Sequence, residues 1–222
     1  MILPFKICCI QSTEEAQVAI NAGAYAIGLV AEMPNGPGPI GDNLIRENTD
    51  FIRGNGLARS VLLTSRTNGD AIAEHVHDTR PDMVQIVDSP EPGAYATIRK
   101  AYPTIKIIQV IHVEDDGALD QARAVEVDVD FILLDSGKPS SPARTFGGTG
   151  DTHDWSVSRR IVEAVKRPVF LAGGLTPENV QVAVSTVRPY GVDVCSGLRD
   201  REDAYALIPE RADAFAAALK RM

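Results

Sequence analysis

The chain has 222 residues, 44% hydrophobic and 23% charged, the balance of an ordinary globular protein with enough apolar surface for a large core. Lys and Arg number 22 against 30 Asp and Glu, a net charge of -8 with no basic cluster to offset it, which argues against nucleic-acid binding. No apolar run approaches the ~18 residues of a membrane span, Met1 to Ile10 is too short for a signal peptide, and three cysteines make no disulfide framework; a reduced, cytoplasmic protein is expected.

In chain order, short apolar or β-branched runs alternate with amphipathic stretches. Phe5–Cys9 reads as a strand, followed by a helix over Thr13–Ala22 that Ser12 caps and Glu14 and Glu15 open. Ala26–Val30 is the second strand, and Asn43–Arg53 fills the second helical slot. The strands Ser60–Thr64, Met83–Val87, Lys106–Ile111 and Phe131–Asp135 come next, interleaved with helices over Gly69–Thr79, Pro92–Ala101 and Asp115–Glu126. Val157–Val165 is helical, then strand Val169–Ala172, then a helix over Pro177–Val187 with Thr176 as cap and Pro177 in the first turn. Strand Gly191–Cys195 and a closing helix over Arg211–Leu219 complete the pattern.

Eight strand–helix units in 222 residues give about 28 residues per unit. Several strands are apolar on both faces, as parallel strands covered by helices must be. The pattern predicts an α/β fold, a (β/α)8 TIM barrel, with residues 1–222 as a single domain. A doubly wound open sheet is the alternative, though it seldom carries eight evenly spaced strands without insertions.

In such a barrel the chemistry gathers where strands end. Gly173-Gly174 after the seventh strand and Ser196-Gly197 after the eighth are small enough to leave backbone N–H groups open to an anion. These positions predict a phosphate site, unless the glycines serve only tight turns. Cys8 ends the first strand on the same face as Lys6, a cation that favours thiolate; the other possibility is a small core hydrophobe, the role that alternation gives Cys9. Asp135 closes the apolar run Phe131–Leu134, where desolvation raises a carboxyl toward general-acid behaviour; otherwise it is a cap. Asp193 is placed to pair with Lys6 inside the barrel. Asp88 and His112 end adjacent strands but are too few for a metal site, and His75 and His77 read as surface residues. Two long loops, Met33–Gly41 and Ser136–Trp155, are candidate substrate walls.

Several ordered motifs resemble the phosphoribosylanthranilate isomerase family. Lys6-Ile7-Cys8-Cys9-Ile10-Gln11 is similar to its K-I-C-G-I-T opening, and Asn21–Gly28 to its A-G-A-D-A-I-G stretch. Leu133-Leu134-Asp135, Gly147-Gly148-Thr149-Gly150 with Asp154-Trp155, Leu171–Leu175 and Pro189–Gly197 follow in the family's order. The resemblance implies an isomerase of tryptophan biosynthesis that performs an Amadori rearrangement on N-(5-phosphoribosyl)anthranilate or a related N-substituted aminosugar phosphate. It implies Cys8 as general base, Asp135 as general acid, and phosphate contacts at Gly173, Gly174, Ser196 and Gly197. Lys6, Gln85, Gly148, Asp193 and Arg199 fall in supporting positions. No metal or organic cofactor is implied. The expected partner is a small phosphosugar, with no nucleic acid or membrane, in a monomer or homodimer.

The chain departs from the family pattern at several points. The S-P-R after strand two, whose arginine meets the anthranilate carboxylate, is replaced by Met33–Pro39 without a basic residue, leaving Arg144 and Arg199 as candidates for that contact. G-V-E becomes Gly197-Leu198-Arg199, the glycine after the cysteine is Cys9, and T-F-D-W becomes Thr152-His153-Asp154-Trp155. Competing readings are another phosphosugar-barrel enzyme, an epimerase or lyase using Asp88, His112 or Lys6, and a non-catalytic phosphosugar-binding protein.

Overall fold

A computed structural model describes residues 3–34, 36–137, 152–200 and 205–220. Gly148 and Arg144 lie outside the described residues. Strands and helices alternate as β1 (Phe5–Ile7), α1 (Thr13–Ala22), β2 (Ala26–Val30), α2 (Asp42–Asn55), β3 (Arg59–Thr64), α3 (Gly69–Thr79), β4 (Met83–Ile86) and α4 (Ala94–Ala101). They continue as β5 (Lys106–His112), α5 (Ala118–Val125), β6 (Phe131–Asp135), α6 (Trp155–Ala164), β7 (Val169–Leu171), α7 (Val180–Val187), β8 (Gly191–Val194) and α8 (Pro209–Lys220). Each strand pairs in parallel with the next, and β8 returns to β1 to close an eight-stranded barrel.

Strand alternation sorts the side chains into two apolar shells. One face of each strand packs outward under the helices through Ile7, Ile27, Leu29, Leu62, Ile86, Ile132 and Val192. The other face fills the lumen with Ala26, Val30, Val61, Leu63, Met83, Val110, Leu133 and Phe170. Lys6, Gln85, Asp135 and Asp193 stand at lumen-facing positions of the same alternation, so four polar groups share the interior of the barrel with that second shell. At the N-terminal end of the lumen, Phe170 meets Phe131 edge-on at 5.6 Å and Tyr190 at 5.5 Å.

The elements differ from expectation mainly at their ends. The first strand stops at Ile7, because Cys9 takes a left-handed φ of 63° that ends the extended run. Helix α7 begins at Val180: Thr176 and Asn179 bond each other across a preceding turn, Thr176 N–H donating to Asn179 Oδ1 at 2.8 Å, and Pro177 sits in that turn. Helix α5 starts at Ala118, since Asp115 captures the Gly117 N–H at 2.8 Å in a tight turn of its own. His75 is buried rather than on the surface. It lies 3.2 Å from Thr64 Oγ1 and 3.1 Å from Asp42 Oδ1, joining α3 to β3 and α2.

Candidate active site

The C-terminal mouth of the barrel opens on a cavity lined by the ends of several strands and the loops after them, where the chemistry of such barrels gathers. Its walls include Cys8, Cys9, Val30, Met33, Gln85, Asp135, Gly173, Gly174, Asp193 and Cys195. Cys8 and Asp135, the expected base and acid, therefore face one space, with the glycine pair of the seventh strand at the same cavity.

Cys8 is held by its backbone. Its N–H donates to Val194 O at 2.9 Å, and its carbonyl accepts from Arg199 Nη2 at 2.9 Å. Room for the sulfur comes from Gly28, where a Cβ would lie 2.8 Å from Cys8 Sγ. Gly28 thus has a positional role that the motif comparison did not assign. Cys9 does not point away as alternation predicts. Its positive φ turns the chain, and both thiols line the cavity together with Cys195. The family pattern has glycine there, and a residue with a Cβ stores roughly 1–2 kcal/mol of strain in that conformation.

The electrostatics favour a thiolate at Cys8. Hydrogen bonds from the Cys195 and Cys9 thiols hold its pKa well below the ordinary value, aided by Lys6 and opposed by burial. Cys9 is pushed upward first by its contact with Cys195 and then by Cys8, and Cys195 is pushed upward chiefly by Cys8. Lys6 is fully enclosed and bonds Asp193 Oδ2 at 2.7 Å, as placed from sequence. Burial favours loss of its proton, but Asp193 and Cys8 outweigh that and hold the ammonium above its usual value. Burial lifts the Asp193 carboxyl to about 7 against the pull of Lys6; a 2.7 Å contact is that of ammonium with carboxylate.

Asp135 ends β6 opposite His112, and its Oδ1 accepts from Ser136 N–H at 2.8 Å. Burial is the main influence and raises its pKa above the ordinary carboxyl value, although His112 and Lys6 pull the other way. Two further acceptors, Gln85 Oε1 and Asp193 Oδ1, are buried on cavity-lining residues without a hydrogen-bond partner among the described residues. Such groups match hydroxyl donors of a sugar.

In the loop after β7, where the sequence predicts an anion site, Gly173 (φ 83°) and Gly174 (φ 62°) are both left-handed, a conformation that turns successive N–H groups to one side. Asn179 Nδ2 ties the loop by donating to Gly174 O at 2.9 Å. Ser196 and Gly197 open a short 3-10 turn after β8. A Cβ at Gly197 would lie 2.0 Å from Leu175 O, so only glycine lets the two loops touch. Gly197 thus packs against Leu175 and Thr176 of the loop that follows Gly173-Gly174.

Arg199 does not face the mouth. Its side chain is buried, with Nη1 2.8 Å from both Glu15 carboxylate oxygens and Nη2 on the Cys8 carbonyl. Glu15 in turn accepts the N–H groups of Gln11 and Leu207. The charge change at position 199 is thus met by a carboxylate from α1, and Arg199 is not available for a substrate carboxylate. Glu15 was legible only as a helix-opening acid. Among the described residues lining the cavity there is no Arg or Lys. Asp88 and His112 end β4's loop and β5, where His112 Nε2 lies 2.9 Å from Val87 O.

Comparison with known proteins converges on one family. A family model described as "PRAI: N-(5'phosphoribosyl)anthranilate (PRA) isomerase" matches residues 5–201. The chain is 38% identical over 200 residues to N-(5'-phosphoribosyl)anthranilate isomerase 2 of Methanosarcina mazei, covering 88% of this chain and 85% of that one. It is 36% identical over 193 residues to the isomerase of Methanocella arvoryzae, covering 87% of each. Among solved structures, phosphoribosyl anthranilate isomerase from Thermotoga maritima superposes with a TM-score of 0.80 at 26% identity over the full length of both chains. The chain belongs to the N-(5'-phosphoribosyl)anthranilate isomerase family.

Proposed function

We propose that the chain catalyses the Amadori rearrangement of N-(5-phosphoribosyl)anthranilate in tryptophan biosynthesis, with Cys8 as general base and Asp135 as general acid. The observation that carries this assignment of roles is that a stabilised thiolate and a carboxyl of raised pKa line one cavity whose wall includes the Gly173-Gly174 loop. Asp135 gives its proton to the furanose ring oxygen, the C1–O bond breaks, and the nitrogen lone pair closes a Schiff base. Cys8 takes the C2 proton, the C2–H electrons form the C1–C2 double bond, and the resulting enolamine tautomerises to the 1-amino-1-deoxyketose. The acid must act before the base, and the environments of the two groups match that order.

Lys6 holds the negative charge of Cys8 in place, while Gln85 and Asp193 receive ribose hydroxyls. Gly173, Gly174, Ser196 and Gly197 take the phosphate through backbone N–H groups, and Gly148 belongs to the supporting set. The reading supposes no metal or organic cofactor, a small phosphosugar as the ligand, and action in the cytoplasm as a monomer or homodimer; no described helix is long and apolar enough to cross a membrane. The test is the fall of phosphoribosylanthranilate fluorescence as the purified protein converts it. Turnover abolished by both Cys8→Ser and Asp135→Asn supports the roles, and turnover retained by either variant rejects them.

One observation favours a second substrate of the same class. The described cavity wall on the β2 side is Val30, Met33 and Pro37, without a cation for a carboxylate. A related N-substituted aminosugar phosphate lacking that carboxylate would fit this wall, and comparing kcat/KM for the two substrates decides between them.

A further inference from the structure

The chain has three cysteines, all free and all on the cavity wall, whereas the isomerisation needs one. Their placement follows from strand register. Lys6 pairs with Asp193 and Ile7 with Val194 across β1 and β8, and the Cys8 N–H continues that ladder to Val194 O at 2.9 Å. Cys8 and Cys195 are the next positions along it. Both line the cavity above Lys6 and Asp193, whose side chains already touch at 2.7 Å. Neighbouring strands lie ~4.8 Å apart, inside the ~4.4–6.8 Å Cα separation that a disulfide spans. Cys195 is half-buried, with its Sγ 3.6 Å from Tyr205 Oη, and it lines the cavity together with the buried Cys8.

We propose that Cys8 and Cys195 form a peroxide-sensitive dithiol, in which a small hydroperoxide oxidises Cys8 and Cys195 resolves the product as a disulfide that reversibly removes the base. The Cys8 thiolate attacks one peroxide oxygen: the S–O bond forms, the O–O bond breaks, and the alkoxide or hydroxide that leaves takes a proton from water. Cys195 sulfur then attacks the sulfenic sulfur, so that S–S forms, S–O breaks, and hydroxide departs with the Cys195 proton as water. The two sulfurs together lose two electrons and the peroxide gains two. The Lys6 ammonium favours the attacking thiolate, and the shared cavity wall keeps the resolving sulfur beside its target. Cys9, bonded to the next residue in the chain, closes only a small strained ring with Cys8 and is the poorer partner.

The inference rests on the site assigned above, but its primary readout is at sulfur and does not require turnover. The full chain is treated with hydrogen peroxide, alkylated, and digested without reductant for mass spectrometry. The expected result is a Cys8–Cys195 cross-link whose yield tracks the loss of isomerase activity, both reversed by dithiothreitol. In Cys195→Ser the cross-link is absent, Cys8 proceeds to sulfinic acid, and dithiothreitol recovers little of that variant's own starting activity. In Cys9→Ser the Cys8–Cys195 link still forms. A Cys8–Cys9 link in its place, Cys8 sulfinic acid without a link in the unaltered chain, or Cys8 left reduced overturns the proposal. An untreated chain that fails to convert phosphoribosylanthranilate defeats the isomerase reading instead, and the cross-link is still decided by mass.

Discussion

The two ends of the barrel lumen use the same device for different purposes. At the N-terminal end, Gly191 makes room for an aromatic plug: a Cβ there would lie 2.5 Å from the Phe170 ring. At the C-terminal end, Gly28 makes room for a sulfur, with a Cβ 2.8 Å from Cys8 Sγ. Around Phe170 the neighbours are Phe131 at 5.6 Å and Tyr190 at 5.5 Å, and the gain is apolar burial. Around Cys8 the neighbours are Lys6, Cys9, Cys195 and Asp193, and burial there makes charge expensive and therefore selective. One closed sheet thus supplies a stable floor and a reactive mouth because alternation sends both sets of side chains into the same lumen.

The comparison breaks first at the mouth. Cys8→Ser and Asp135→Asn are expected to lower kcat by roughly 10²–10⁴-fold each while leaving the melting temperature near its original value. Turnover assays and thermal melts on the same samples check both halves. Arg199→Ala, which strands Glu15 beneath the mouth and releases the Cys8 carbonyl, should cost about 3–5 kcal/mol of stability in denaturant unfolding. A loss near zero would mean that Glu15 is solvated and the clamp is unimportant.

The glycine pair sharpens the contrast. Gly191→Ala should destabilise by about 1–3 kcal/mol with kcat of the folded protein unchanged. Gly28→Ala should instead reduce kcat, because its Cβ displaces the reacting sulfur from its seat. Equal effects of the two on kcat would erase the division between floor and mouth.

How much of this was legible follows from which forces are local. The bounds of α1, α3, β2 and β6 agree with the sequence reading because each has its own cap or apolar run: Ser12 accepts the Glu15 N–H, and Asn68 accepts those of Asp70 and Ala71. The Lys6–Asp193 pair was legible because two charges on lumen-facing positions of adjacent strands must find each other. Arg199 with Glu15 was not, since the partners are 184 positions apart and neither motif hints at the other. His75 was misplaced for the same reason: its partners Thr64 and Asp42 come from other elements. The left-handed turn at Cys9 did carry a signal, the glycine that the family pattern has there, and alternation was applied past the point where the strand ends.

A smaller effect is expected at His153, where the family pattern has phenylalanine. Its Nε2 lies 2.6 Å from Ser158 Oγ, and burial lowers its pKa to about 4. A histidine whose folded value lies below its unfolded ~6.5 contributes stability above that pH and loses it as pH falls toward 4. His153→Phe should therefore recover about 2 kcal/mol at pH 4.5 relative to pH 7.5, read from unfolding curves at the two pH values. Identical acid sensitivity in both proteins would mean that His153 titrates normally.

The central claim is that an ionised Cys8 and a protonated Asp135 coexist above the same sugar. The pH dependence of kcat/KM reads it most directly. The account predicts a bell whose rising limb lies well below the ordinary thiol range, from Cys8, and whose falling limb lies above the ordinary carboxyl range, from Asp135. Activity that climbs steadily into the range where an unperturbed thiol ionises, with no falling limb, would contradict it.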